Sequence, residues 1–157
     1  MKIAILQTGK TTEKFISEGV EMYMNRLRKY CQAEIITIPD LKNTRNMPAE
    51  EQKLREGRMI MKTLGKDDFP VLLDERGKEF CTIEFAAWLE ERLHIKSRRL
   101  VFITGGPWGF SDEVKEVAGF KLSLSKMTFP HQLVRLLFAE QLYRAFTVIR
   151  GEPYHHE

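Results

Sequence analysis

Two cysteines, Cys31 and Cys81, stand far apart in the chain, with no CxxC and no histidine at ligand spacing. That excludes a disulfide framework and a zinc knuckle, and points to a reducing cytoplasm. No apolar run approaches the roughly 20 residues of a membrane span. The apolar start, MKIAILQTGK, is ended by Gly9 and Lys10, too soon for a secretory core segment, so it is expected to be a first strand. Charge of one sign is also missing. A net charge of +3 with no polybasic run permits an acidic partner such as RNA without requiring one. Nor is there an internal repeat, a low-complexity tract or a linker, so residues 1–157 are expected to form one domain.

Nucleotide fingerprints fail in the same way. TGKTT resembles the tail of a phosphate-binding loop, but the glycine required five positions before Gly9 is Ala4. The dinucleotide pattern GxGxxG fails because Gly9 stands alone after the first strand. Lys10 and Thr11 are therefore taken as ordinary turn residues. No Ser-His-Asp set, carboxylate pair or metal cluster can be assembled, and His94 is taken as a helix-surface residue.

What the chain does contain is alternation. Short apolar runs (KIAILQT, AEIITI, PVLLDE, RLVFITG, FKLSLS) alternate with longer amphipathic ones, the pattern of a mostly parallel sheet covered by helices on both faces. In the first helix Ile16, Val20, Tyr23, Leu27 and Tyr30 recur at helical spacing. Thr82 and Ser111 are candidate N-caps. The second helix, around 50–64, is highly charged; Leu54, Met61 and Leu64 form a thin apolar edge and its charges a solvated face. PDLKNTRNM before it is a polar loop.

Three stretches carry chemistry. GGPWGF, 105–110, follows a strand and precedes a helix, where α/β sheets bind ligands. It suits either a loop approaching a nucleoside-like group or a tight turn needing positive φ. LSLSKMTFP runs a strand into an apolar loop, where a polar turn is the rule. Leu124, Met127 and Phe129 are covered either by a flat aromatic ligand or by core packing. TFPHQLVRLLFAEQLYRAF begins at Pro130, which suits a first helical turn. It scatters Arg135, Glu140 and Arg144 on separate sides of an otherwise apolar helix. Such a helix is buried, here partly against a second subunit, with its charges in a pocket or at an interface. The tail GEPYHHE is either a frayed end or a Tyr and His set beside an Arg to stack on a base.

MKIAILQTGK, LLDERGK, GGPWGF, LSLSKMTFPHQLVRLLFAEQLYRAF and RGEPYH together resemble the RlmH family over the whole length of the chain. These are small SPOUT-class methyltransferases of the bacterial large-subunit ribosomal RNA (23S rRNA). The resemblance implies an α/β-knot fold, with a C-terminal trefoil knot that composition and periodicity would not suggest. It implies a homodimer that uses S-adenosylmethionine, without metal or membrane, to methylate N3 of a pseudouridine in a stem-loop of the assembled ribosome. By motif, cofactor contacts fall on Leu73, Gly105, Leu124, Ser125, Lys126, Met127, Thr128 and Phe129. Arg144, Tyr154 and His155 are expected to act on the RNA, with His155, or water oriented by Tyr154 and Arg144, expected to take the N3 proton. Trp108 at a variable position and the second tail histidine depart from the pattern. A non-catalytic ribosome-binding module and another nucleotide-dependent α/β enzyme are the competing readings.

Overall fold

In the computed structural model, which describes residues 2–95 and 99–156, strands and helices alternate along the chain. The order is β1 (Lys2–Thr8), α1 (Lys14–Leu27), β2 (Gln32–Ile38), α2 (Ala49–Thr63), β3 (Asp68–Glu79), α3 (Thr82–Leu93), β4 (Arg99–Thr104), α4 (Asp112–Val117), β5 (Phe120–Ser123) and α5 (Leu133–Ile149). Met1 of the opening stretch and Glu157 of the tail lie outside the described residues. The strands form one sheet in the order β2-β1-β4-β3-β5, and every pairing is parallel.

Burial on both faces explains why β1 reads as a continuous apolar run rather than an alternating one. Ile3 and Ile5 point into a core closed by α1, α3 and α5, whereas Ala4 and Leu6 meet Ile60 of α2 and Val114 of α4 on the opposite face. The larger core is aromatic around Phe85, Trp88, Phe102 and Phe138. Phe102 and Phe138 rings lie 4.6 Å apart, which fixes α5 across the middle of the sheet.

Several expectations need correction. In α1 the buried stripe is Ile16, Val20, Met24 and Leu27, with Tyr23 half-exposed. In α2 the inward side is Glu56, Gly57 and Ile60, while Leu54 is exposed, so the supposed solvated face includes a buried carboxylate. Gly57 lets α2 approach Ser111, whose hydroxyl would lie 2.2 Å from an added Cβ. Ser111 does cap α4, accepting from Val114 N at 3.4 Å. Thr82 does not cap α3. Cys81 holds that position, and its N–H donates to Glu84 at 2.8 Å. Pro130 precedes α5 by three residues, its carbonyl accepting from Val134 N, and β5 stops at Ser123.

At the opposite end of the sheet Asp68 accepts from Arg99 Nε at 2.9 Å and Nη2 at 2.6 Å, and from Gly65 N at 2.7 Å. Burial alone would raise the Asp68 pKa; the Arg99 guanidinium and the Gly65 N–H outweigh it and hold the carboxyl below its usual value. A depressed folded-state pKa contributes stability above the unfolded value, about 3.9, that is lost as pH falls through the folded value. Asp68→Asn should therefore cost about 2 kcal/mol at neutral pH in urea unfolding, the scale of hydrogen bonds to charged groups. The gap from wild type should narrow as pH falls below about 4, where the unfolded carboxylate takes up its proton, and close below the lower folded-state value.

Candidate cofactor site and tail cluster

β3 and β5 do not pair regularly. Leu73 and Lys78 both stand opposite Leu122, so residues 74–77 leave the ladder as a bulge. Asp74 Oδ1 accepts from Arg76 N at 2.9 Å, forming an Asx-type turn. Gly77 returns the chain where an added Cβ would lie 2.6 Å from the Lys121 backbone. The bulge is one wall of a cavity of about 590 Å³ at the carboxyl ends of β3, β4 and β5, a volume typical of small-molecule sites. The glycine loop, 105–110, forms the second wall and the 124–130 segment the third.

Side chains hold that third wall in shape. Ser123 Oγ donates to the Ser125 carbonyl at 2.9 Å, Ser125 Oγ accepts from Met127 N at 3.0 Å, and Thr128 Oγ1 donates to Glu75 of the bulge at 2.9 Å. Of the residues expected to contact the cofactor, Leu73, Gly105, Leu124, Ser125, Met127, Thr128 and Phe129 line the cavity. Lys126 does not: it is exposed and outside the lining. The lining also contains Lys53, Asp74, Arg76, Lys115 and His131, which sequence reading missed. The signal for the bulge was present in DERG, an Asp followed three positions later by Gly.

The residues present fit S-adenosylmethionine. Leu73, Leu122, Leu124 and Phe129 supply apolar walls for an adenosine, the glycines allow backbone to approach it, and Lys53, Lys115, Arg76, Asp74 and Glu75 supply charges of both signs for a zwitterionic amino-acid tail.

Arg144, Tyr154 and His155 come together, but elsewhere. α5 ends in a Schellman turn: Gly151 has φ +66°, its N–H donates to Val148 O, and Glu152 N donates to Thr147 O. The tail thus folds back along α5. Glu140 Oε1 accepts from Arg144 Nε at 2.9 Å and from Tyr154 Oη at 3.1 Å, and the Arg144 guanidinium lies 4.7 Å from the Tyr154 ring centre. Arg144 Nη1 stands 3.5 Å from His155 Nδ1. Burial chiefly, with hydrogen bonding to Tyr23 and the Glu140 charge, pushes the Tyr154 hydroxyl well above its usual range. Val134 lines the cavity, and Arg144 lies ten positions further along the helix, about 15 Å along the axis. The cluster therefore stands apart from its own chain's cavity.

Arg135 answers to neither site. It is 3% exposed, donates to Thr11 Oγ1 at 2.9 Å and to the Thr8 carbonyl, and so is buried inside its own subunit rather than at an interface. Gln132 completes the junction, its Oε1 accepting from Thr12 N at 3.0 Å and Glu13 N at 3.2 Å at the start of α1. Thr11 and Thr12 are thus anchors for α5 and not merely turn residues.

The fold is similar to that of the tRNA (m1G37) methyltransferase of Aquifex aeolicus. That solved structure is 18% identical and aligns over all of this chain and 75% of its own, with a TM-score of 0.54. The family model described as "Predicted SPOUT methyltransferase" matches residues 1–155, and the chain belongs to that family. It is 49% identical over 157 residues to the ribosomal RNA large subunit methyltransferase H of Parabacteroides distasonis and 48% identical to that of Phocaeicola vulgatus, with both partners covered completely. The protein is accordingly a methyltransferase that uses S-adenosylmethionine. The readings as a non-catalytic adaptor or a different nucleotide-dependent enzyme are set aside.

Proposed function

We propose that the protein methylates N3 of a pseudouridine in a stem-loop of the bacterial large-subunit ribosomal RNA, on the assembled ribosome, as a cytoplasmic homodimer. Its full-length identity of nearly one half to methyltransferases named for that RNA supports the substrate class. The observation that carries the dimer is the distance between the cofactor cavity and the tail cluster. About 15 Å is too far for one chain's Arg144, Tyr154 and His155 to act on a base held at its own cavity. Half-buried Leu133, Leu136 and Leu137 on α5, with 75%-exposed Met127 beside the cavity mouth, offer apolar surface for a second subunit that would bring its tail there. Threading of the 124–132 segment as a trefoil is part of the same proposal. Its support is the path from β5 at one sheet edge to the Gln132 contacts with Thr12 and Glu13 beyond β1.

Within that composite site the glycine loop and the 124–129 loop, with Leu73, hold the cofactor. Bound S-adenosylmethionine supplies an electrophilic methyl group on a sulfonium. The protein's task is to hold the acceptor nitrogen in line with it and to dispose of the N3 proton. Tyr154 is a poor base, because burial and Glu140 disfavour its ionised form. Arg144 has only protons to donate, so its contact with His155 Nδ1 favours the tautomer with its proton on Nε2, an atom with no partner among the described residues. His155 then donates to a base carbonyl through Nε2–H. Water oriented by Tyr154 and Arg144 accepts the N3 proton.

Methyl transfer should be compared on assembled ribosomes, isolated large subunits and protein-free RNA carrying the same pseudouridine, and on RNA with uridine in its place. With a net charge of only +3, few phosphate contacts are available, so naked RNA should react at least about tenfold more slowly. Equal rates on naked RNA would show that recognition is local. Methylation of the uridine control would refute the choice of base.

A further inference from the structure

Glu56 is 4% exposed and lies behind the glycine loop, outside the cavity lining. Its Oε1 accepts from Gln52 Nε2 at 3.2 Å; Gln52 Oε1 in turn accepts from Trp108 Nε1 at 3.1 Å. Its Oε2 is buried and has no partner among the described residues. That oxygen faces the loop so closely that a Cβ on Gly106 would come to 2.4 Å. Trp108 lines the cavity and is 55% exposed, yet its ring edge is tied through Gln52 to the interior. Burial, the largest influence, raises the Glu56 pKa against the Gln52 hydrogen bond, with the Asp40 charge adding to the rise. Retaining such a group costs stability, since a buried oxygen without a partner forfeits its hydration.

We infer that Glu56 is a positioning residue for the methyl-transfer site, holding the glycine loop and, through Gln52, Trp108 in the geometry that receives the cofactor. This rests on the reading that the cavity binds S-adenosylmethionine. A carboxyl that served only the fold would be stabilising, whereas one kept for the site should be replaceable by an apolar side chain of similar size with gain to the fold and loss to the site.

The test uses full-length Glu56→Met, Glu56→Gln and Trp108→Phe proteins. The measurements are calorimetric affinity for S-adenosylmethionine, KM and kcat on ribosomes, thermal midpoint, and tryptophan emission. Glu56→Met should keep or raise the midpoint while weakening cofactor affinity about tenfold with a smaller change in kcat. Its emission should shift toward that of a solvated indole, because Trp88 is buried and Trp108 alone is free to move. Glu56→Gln, which still offers an oxygen to Gln52, should bind almost as wild type, and Trp108→Phe should fall between. Wild-type affinity in Glu56→Met would overturn the inference. So would a loss that merely follows a lowered midpoint, or one confined to KM for the ribosome. Gly105→Val run in parallel separates the two levels. If it too leaves affinity intact, the cavity assignment fails; if it abolishes binding while Glu56→Met does not, only the role of Glu56 fails.

Discussion

Gly105→Val should abolish binding of S-adenosylmethionine while leaving a folded protein, a loss of at least about a hundredfold in affinity. Gly105 is not at positive φ, so the backbone accepts valine and the effect is one of space. An added Cβ would already meet the Phe110 ring at 3.2 to 3.4 Å. Phe110 is 5% exposed and packed in the core shared with Ile60 and Val114, so it has little room to withdraw. The two methyl groups of valine then have to be accommodated by displacing the loop or filling the cavity. Alanine should be milder, because the ring need give only a few tenths of an ångström. Titration calorimetry reads the affinity, and a thermal midpoint lowered by no more than overpacking of about 1 to 3 kcal/mol would confirm that the fold survives. Unchanged affinity would show that the cofactor does not use this wall.

Arg144→Ala should be nearly inactive on ribosomes with cofactor affinity unchanged, because it removes the group that pairs with Glu140, stacks on Tyr154 and touches His155. The larger consequence appears on mixing. Coexpressed with Gly105→Val, which is dead for the complementary reason, it should restore activity. A mixed dimer unites the intact cavity of one chain with the intact tail of the other. With random assortment half the dimers are mixed and each has one working site of two, so about a quarter of wild-type activity should return. If cavity and tail of one chain act together, the mixture stays inactive and the composite site is refuted.

Much of the fold could be read from one dimension because it rests on local rules. β1 and β4 are short apolar runs buried on both sides, Ser111 caps the helix that follows it, and GGPWG sits where a parallel sheet opens to ligands. The misreadings share one cause. Glu56 was assigned to solvent because a charged residue on a charged helix is normally exposed, but Gly57 beside it brings α2 against α4. The pattern leaves Arg135 in a pocket or at an interface, because its partners, Thr8 and Thr11, lie more than 120 positions away.

Family membership, the parallel α/β plan and the stretches that line the cavity follow from sequence, since recurring motifs and hydrophobic periodicity are properties of neighbouring residues. Which residues share a site does not follow in the same way. The bulge at 74–77 depends on β3 pairing Leu73 and Lys78 with the same residue of β5. The return of Tyr154 and His155 to Arg144 depends on the left-handed turn at Gly151. The separation of that cluster from the cavity depends on the unbroken helix between Val134 and Arg144. Hydrogen bonds and burial between distant segments exist only once the chain has closed on itself, so these relations became visible only in the folded molecule.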